Sequence, residues 1–373
     1  MKTVKWLAVS ASIALGALSA APSQARDFIY GSWLGPKSTT NTVTMTRYLE
    51  KIKKDTDGAI SFKLLAGGQV ATANGTVDAV KDDTIDAGIA IAPYSPGALP
   101  ATNMLFNTNT LGNDPVAATG ALMETILLHC PQCLAEYKRA NAVAFAGYAV
   151  PPYELMCTKP VKTVADLKGL KVRASAGGIY IMKLAGATPV AMTVPDGVEA
   201  MERGTVTCSW SVLNWLTNFG YIDVTKYVLD YPLGMAGPPL PFYLNRKVWE
   251  GMTAAQRKVL FDDAPFLVAT ETMDSELAST EAAVAKAKAK GIVFIKGGKD
   301  FDAVMEQHAR DQRARNAKIA AEHGVKNPEA VLDALDTAMI KWRKLSKQIG
   351  HDKQKFIEAL QREIYSKVDP EKL

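Results

Sequence analysis

The chain has 373 residues, with 43 lysines and arginines against 38 aspartates and glutamates, and a formal net charge of +5. This length is enough for two domains of ordinary size. The positive excess is small and spread along the chain, so a nucleic-acid-binding surface is not expected. The densest basic clusters, at 51–54 and 310–315, lie in helical patterns that indicate solvated helix faces.

The first 25 residues have the pattern of a secretory signal peptide. Lys2 and Lys5 form a basic start, residues 6–18 are apolar or small, and Ser23-Gln24-Ala25 is a small-x-small cleavage site. The apolar run is shorter than the roughly 20 residues that a membrane-spanning helix needs. We therefore expect export, with cleavage after Ala25.

The four cysteines of an exported chain favour disulfides over a metal site. Cys130-Pro-Gln-Cys133 has the spacing of a thiol oxidoreductase motif, but residues 121–134 resemble a helix end and lack the strand that usually precedes such a motif. A small structural disulfide or two free thiols is the favoured interpretation, and redox catalysis is the alternative. Cys157 and Cys208 lie in two predicted strands, so a bridge between them is a further hypothesis.

From Arg26 to about Gly234, short apolar strands alternate with amphipathic helices, which indicates an α/β fold. The predicted strands are 27–33, 60–65, 87–92, 143–149, 153–158, 171–174 and 205–210. Residues 253–290 are almost unbroken helical sequence, interrupted by Pro265. A helix of that length would extend over about 50 Å and could cross two domains. Residues 301–365 are charged and helical.

Four residues stand at or near the ends of predicted strands: Trp33, Tyr94, Arg173 and Trp210. Ligands of open α/β sheets bind beyond the carboxyl ends of the strands. The four positions therefore predict a cleft with aromatic walls and one cation. Trp210 has a second interpretation, because a tryptophan at such a position is often a packed core residue.

Arg173 is the most specific of these positions. Residues 163–169 predict a short capped helix, and residues 175–178 lead from the strand of Arg173 into the next helix. The arginine then lies beside a helix N-terminus, where backbone N–H groups also favour anions. Its guanidinium can hold a carboxylate through two parallel hydrogen bonds. The alternative is a surface arginine that pairs with Asp166 or Glu202.

Common catalytic motifs are missing from the sequence. It contains no HExxH, G-x-S-x-G, P-loop or G-x-G-x-x-G pattern, and three of its four histidines lie in the polar C-terminal part. No nucleophile stands next to a candidate base. The sequence therefore predicts a protein that is not an enzyme and needs no cofactor.

A series of motifs resembles the TRAP-type (tripartite ATP-independent periplasmic) solute-binding proteins of the DctP family. The central one is the stretch from Pro160 to Arg173, and residues 185–190 and 196–204 continue it in the expected order. Upstream, residues 66–70 resemble the family's glycine-glycine-glutamine turn, and downstream, residues 243–249 and the long helix also match. The resemblance covers essentially the whole mature chain.

The resemblance implies a periplasmic, two-lobed α/β protein that closes on its ligand, with one long helix shared by both lobes. It implies that Arg173 binds the carboxylate of a small organic acid, which is then delivered to TRAP integral membrane subunits. We expect lobe 1 to comprise 26–149 with 238–280, and lobe 2 to comprise 150–237 with 281–373. A monomer suits such a shuttle. A ligand-sensing subunit of a membrane receptor kinase would have the same sequence features and remains an alternative.

Two departures from the family pattern bear on the ligand. Tyr153 stands near the position where many relatives carry a second arginine. Residues 206–211 lack the acidic residue that holds a metal ion in oxo-acid-binding relatives, so no metal site is expected. The predicted ligand is a monocarboxylate with an apolar or aromatic body. The predicted ligand-binding residues are Arg173, Trp210, Tyr153, Tyr94, Trp33, Ser211 and Asn214.

Overall fold

The computed structural model describes residues 27–373, so the predicted signal peptide lies outside the described residues. Their strands form two sheets. In chain order the strands are β1 Asp27–Gly31, β2 Ser61–Leu65, β3 Ala87–Ile91, β4 Ala142–Ala144, β5 Glu154–Cys157, β6 Lys171–Ala174, β7 Thr188–Ala191, β8 Cys208–Ser211, β9 Tyr227–Asp230, β10 Pro239–Asn245 and β11 Val293–Lys296.

Helices cover both sheets, and within residues 27–373 none is long and apolar enough to cross a membrane. The α-helices are α1 Thr46–Asp55, α2 Thr76–Lys81, α3 Pro100–Phe106, α4 Pro115–Glu124, α5 Pro131–Arg139, α6 Gly178–Leu184, α7 Val194–Glu202, α8 Trp215–Asn218, α9 Arg246–Gly251, α10 Ala254–Asp262, α11 Ala264–Ala269, α12 Ala278–Ala289, α13 Asp300–Glu322, α14 Pro328–Ile349 and α15 Lys353–Glu363. Three segments are π-helical: Thr40–Met45, Thr125–His129 and Thr270–Leu277.

The first sheet has the order β2-β1-β3-β10-β4, and the second has the order β11-β9-β5-β8-β6-β7. In the first sheet, β1 is parallel to its neighbours β2 and β3. Strand β10 lies between β3 and β4 and runs antiparallel to both. Sequence analysis missed β10, because every one of its residues is buried and its two prolines interrupt any alternation of apolar and polar positions. It also missed β7, β9 and β11.

Each sheet has its own hydrophobic core, which we call the core of the first lobe and the core of the second lobe. Helices α14 and α15 pack into the first core through Trp342, Phe356 and Leu360. The predicted assignment of 281–373 to lobe 2 does not match this packing for α14 and α15, whereas Ala283, Phe301 and Val304 do pack in the second core. The reason lies in α4, where the absence of a side chain at Gly120 makes room for Trp342: a Cβ at Gly120 would lie 2.1 Å from the indole ring.

One long helix connects the two cores, as predicted. The segments α11, Thr270–Leu277 and α12 follow one another without interruption from Ala264 to Ala289. Leu267 lies in the first core, and Ala287 lies in the second. The predicted start at residue 253 is too early, because the helix breaks at Asp263. Pro265 then occupies an early position in α11, where its missing N–H group loses no helical hydrogen bond.

All four cysteines are paired. The Cys130–Cys133 bridge closes the start of α5, and both of its cysteines are buried. The Cys157–Cys208 bridge joins β5 to β8, where the two residues stand directly opposite each other, so the hypothesis of a bridge between these strands is confirmed. Because a redox-active CxxC site needs an accessible, activated thiolate, the buried Cys130–Cys133 pair fits a structural role better than the redox alternative.

A candidate ligand-binding cleft between the lobes

A cavity lined mainly by aromatic and aliphatic side chains lies between the two lobes. Its aromatic lining residues are Trp33, Tyr94, Phe106, Tyr148, Tyr153, Trp215 and Phe219. Its polar lining residues are Ser38, Thr40, Ser175, Asn218 and Glu276. Among the described residues that line the cavity, Glu276 is the only charged one.

The aromatic walls come from both lobes. Trp33 follows β1, and its ring centroid lies 6.0 Å from that of Tyr94, at the end of β3, and 6.1 Å from that of Phe219 in the second lobe. Trp215 lies 5.7 Å from Tyr153 and 5.8 Å from Phe219 by the same measure. Because β1 and β3 are parallel neighbours, their carboxyl ends bring Trp33 and Tyr94 to one edge of the sheet.

Trp210 lies outside the cavity and packs against Tyr153, which lines it. Its ring stacks on Tyr153 at a centroid distance of 3.5 Å and an angle of 4°. The contact arises because β5 is antiparallel to β8, so the residue that precedes β5 lies beside the end of β8. Trp210 is fully buried, donates its indole N–H to Leu233 O at 3.1 Å and does not line the cavity. Its geometry is that of the packed core residue considered as the second interpretation.

Arg173 is buried without a carboxylate partner. Its Nε and Nη2 donate to Met192 O at 3.1 and 2.9 Å, and its Nη1 donates to Trp210 O at 3.2 Å. Among residues 27–373 it is the only lysine or arginine that is buried, and no carboxylate of that range lies within 4.0 Å of it. The alternative of a surface arginine is therefore wrong. Neutral carbonyls hold this cation, and its charge is not compensated.

Two lining residues separate Arg173 from the cavity. The guanidinium carbon lies 5.5 Å from the ring centroid of Trp215. The hydroxyl of Tyr94 accepts a hydrogen bond of 3.3 Å from the backbone N–H of Val194, the first residue of α7. Burial raises the pKa of Tyr94, and the nearby positive charge of Arg173 opposes that rise. The Tyr94 oxygen thus faces a backbone donor and a cation together.

Ser211 and Asn214 also lie behind the cavity wall, fully buried. Ser211 donates to Ser209 at 2.7 Å, and Ser209 bonds in turn to the Tyr221 hydroxyl at 3.1 Å. Asn214 donates to Glu276 Oε2 at 2.7 Å. Of the seven predicted site residues, Trp33, Tyr94 and Tyr153 line the cavity. Arg173, Trp210 and Asn214 contact residues that line it, whereas Ser211 bonds to Ser209, which does not.

Sequence reasoning missed three prominent lining residues: Trp215, Phe219 and Glu276. Trp215 stands four residues beyond the end of β8, so a wider search of that strand end would have found it. Glu276 gives no such signal, because a glutamate in a long helix usually indicates a solvated face.

Residues 31–318 match the family described as bacterial extracellular solute-binding protein, family 7 (DctP). The chain belongs to this family. The solute-binding protein is 23% identical, over 269 residues, to the 2,3-diketo-L-gulonate-binding periplasmic protein of Escherichia coli (strain K12). That match covers 71% of this chain and 79% of the relative.

Solved structures share the fold. A TRAP periplasmic solute-binding protein from Desulfovibrio salexigens is 25% identical, with a TM-score of 0.70 over 85% of this chain and 96% of that one. A TRAP solute-binding protein from Rhodoferax ferrireducens, in complex with copurified benzoate, is 18% identical, with a TM-score of 0.76 over 86% and 99%. The two-lobed fold and the family that the motifs predicted are confirmed.

Proposed function

We propose that this family 7 solute-binding protein captures a small organic monocarboxylate with an apolar or aromatic body in the periplasm. It then delivers this ligand to the integral membrane subunits of a TRAP transporter. The observation that carries the proposal is the buried, uncompensated Arg173 next to an aromatic cavity. A buried cation of this kind is stabilised when a ligand brings the missing negative charge.

The surroundings of Tyr94 support a carboxylate position at Arg173. The Tyr94 oxygen accepts from Val194 N–H and lies near the guanidinium, so it occupies a place where two kinds of anion-binding donor meet. Tyr94 belongs to the first lobe, whereas Arg173 and Val194 belong to the second. When the lobes move apart, this oxygen leaves, and a ligand carboxylate can take its place.

The rest of the cavity supports an apolar ligand body. Most of its walls are aromatic or aliphatic, whereas a sugar acid or dicarboxylate requires several polar partners. The E. coli relative is named for a sugar acid, and the R. ferrireducens structure contains benzoate. The aromatic lining of this chain favours a ligand of the second kind.

A thermal-shift screen tests the ligand class. Benzoate, mandelate and 3-hydroxybenzoate are expected to raise the melting temperature, while succinate and sialic acid leave it unchanged. A ligand at about 100 times its Kd stabilises the folded state by about 2.7 kcal/mol, which corresponds to a shift of several degrees. Stabilisation by succinate or sialic acid alone would overturn the proposed ligand class.

Gly197 offers an independent test of the Arg173 position. A Cβ at this residue of α7 would lie 2.3 Å from the Tyr221 hydroxyl and 3.1 Å from Cγ of Arg173. The substitution Gly197→Ala is therefore expected to displace the guanidinium and to weaken carboxylate binding about tenfold, measured by calorimetry. Gly251→Ala is the matched control, because a Cβ there has no atom within 4 Å. Equal affinity in both variants would contradict the proposed role of Arg173.

A further inference from the structure

Two buried carboxyl groups lie on one side of the long helix. Glu271 and Glu276 both belong to the π-helical segment Thr270–Leu277, and they are 0% and 5% exposed. In an α-helix, residues five positions apart point about 140° away from each other. In a π-helix the backbone bonds residue i to residue i+5, which brings these two positions to the same side.

No cation compensates this acidic pair. Within residues 27–373 neither glutamate has a lysine, arginine or histidine at ion-pair distance. The Thr40 hydroxyl donates to Glu271 at 2.7 Å, and the hydroxyls of Thr44 and Tyr148 also face it. Around Glu276 the groups are Asn214, Tyr148, Tyr153 and Glu271 itself.

Two hydrogen-bond acceptors in this region have no donor. Oε2 of Glu271 and Oδ1 of Asn214 are buried and have no hydrogen-bond partner. Buried acceptors without a donor are costly, so they indicate a missing donor. Glu276 is the member of the group that lines the cavity, which makes it the one that a ligand can reach.

Aromatic rings surround the space in front of Glu276. Trp33, Tyr153, Trp215 and Phe219 line the same cavity. The faces of such rings carry partial negative charge and attract cations, most strongly where water is excluded. A carboxyl group and several aromatic rings together form a site suited to an ammonium group.

We propose that Glu276 binds the protonated amine of a ligand whose carboxylate pairs with Arg173. This inference rests on the proposed function and narrows its ligand class to carboxylates that carry an ammonium group at a distance from the carboxylate. The ammonium group of the ligand supplies hydrogen-bond donors and a positive charge to the acidic pair. The carboxylate of the ligand supplies a negative charge to Arg173.

The acidic pair makes binding of such a ligand depend on pH. Burial raises the pKa of Glu276 well above its usual value, and the neighbouring Glu271 raises it further. Burial also raises the pKa of Glu271, to about 7. Glu276 therefore holds a proton more firmly than an ordinary carboxyl group in the empty cleft, and it must lose that proton to pair with an ammonium group. Affinity for the amine is then expected to rise with pH, by up to about tenfold per pH unit.

Three ligands of matched shape test the inference by calorimetry: 4-methylbenzoate, 4-(hydroxymethyl)benzoate and 4-(aminomethyl)benzoate. At about pH 8 the amine is expected to bind at least about tenfold more tightly than 4-methylbenzoate, with release of a proton. At about pH 6 this preference should shrink, whereas the affinity of 4-methylbenzoate should stay the same. Equal or weaker binding of the amine at pH 8 overturns the inference and leaves the proposed function intact. Binding of none of the three, together with no thermal shift from benzoate, mandelate or 3-hydroxybenzoate, overturns both.

Two variants assign the effect to Glu276. The substitution Glu276→Gln keeps the shape of the side chain but removes its charge, so the preference for the amine and its pH dependence should disappear. Glu154→Gln is the control, because Glu154 is an acid of β5 with its pKa raised to about 8 by burial and lies outside the cavity lining. A preference that persists in folded Glu276→Gln protein, verified by circular dichroism, also overturns the inference. The pH series on the natural protein gives a result even when that variant does not fold.

Discussion

Replacing Arg173 with alanine is expected to lower the affinity for the carboxylate ligand by more than about 30-fold. Removing one partner of a desolvated arginine–carboxylate pair costs about 2–5 kcal/mol, and about 1.4 kcal/mol corresponds to a factor of ten. Arg173 is fully buried, so water cannot replace the lost guanidinium at low cost. Calorimetric titration with the strongest ligand of the thermal-shift screen measures the loss.

Two further variants separate charge from geometry. Arg173→Lys keeps the positive charge but cannot form two parallel bonds, so an intermediate loss of affinity is expected. Arg315→Ala is the control, because Arg315 is a partly buried arginine of α13 that packs on the Tyr180 ring and does not line the cavity. If Arg173→Ala folds normally and binds as tightly as the Arg315→Ala control, Arg173 does not bind the carboxylate.

Of the two disulfides, the Cys157–Cys208 bridge is expected to stabilise the protein more, so its removal should lower the free energy of unfolding by the larger amount. The bridged residues are 51 positions apart, and the loop-entropy relation gives about 4 kcal/mol for a loop of that size. Cys157→Ala/Cys208→Ala is the suitable variant, since both cysteines are 0% exposed and alanine adds no buried polar atom. Thermal unfolding should show a decrease in melting temperature of roughly five degrees.

The Cys130–Cys133 bridge provides the matched control, because it spans only three positions. The same relation gives about 2 kcal/mol for so short a loop, so Cys130→Ala/Cys133→Ala should lower the melting temperature by about half as much. Ligand binding should weaken in the Cys157/Cys208 variant only, because that bridge fixes the register of β5 against β8. This register places Tyr153 beside Trp210. Equal effects of the two double variants would contradict this expectation.

Local patterns in the sequence were sufficient for several parts of the fold. The capping box of Thr163 and Asp166 is present, and β6 ends at Ala174 as predicted. Such features depend on neighbouring residues along the chain, so the sequence contains all the information that they need. The long helix was also predicted from its local sequence pattern. That pattern did not predict the π-helical segment within it.

The sequence also placed Trp33, Tyr94 and Arg173 near one cleft, because parallel strands bring their carboxyl ends to the same edge of a sheet. It did not separate residues that line the cleft from residues that support it. Trp210 has the pattern of a lining residue, but the antiparallel pairing of β5 with β8 places Tyr153 in front of it. Strand pairing joins residues that are far apart in the chain, and no local pattern records it.

By itself, the sequence determined the α/β character, the family and a cation at a strand end. Only the tertiary structure decided that α14 and α15 pack on the first lobe, and that Glu276 faces the cavity. Both depend on contacts between distant segments: a tryptophan filling the space above Gly120, and a π-helical turn that places two glutamates together. The carboxylate that we propose at Arg173 was thus inferred first from the sequence, whereas the ammonium group that we propose at Glu276 was inferred only from the packing of the long helix.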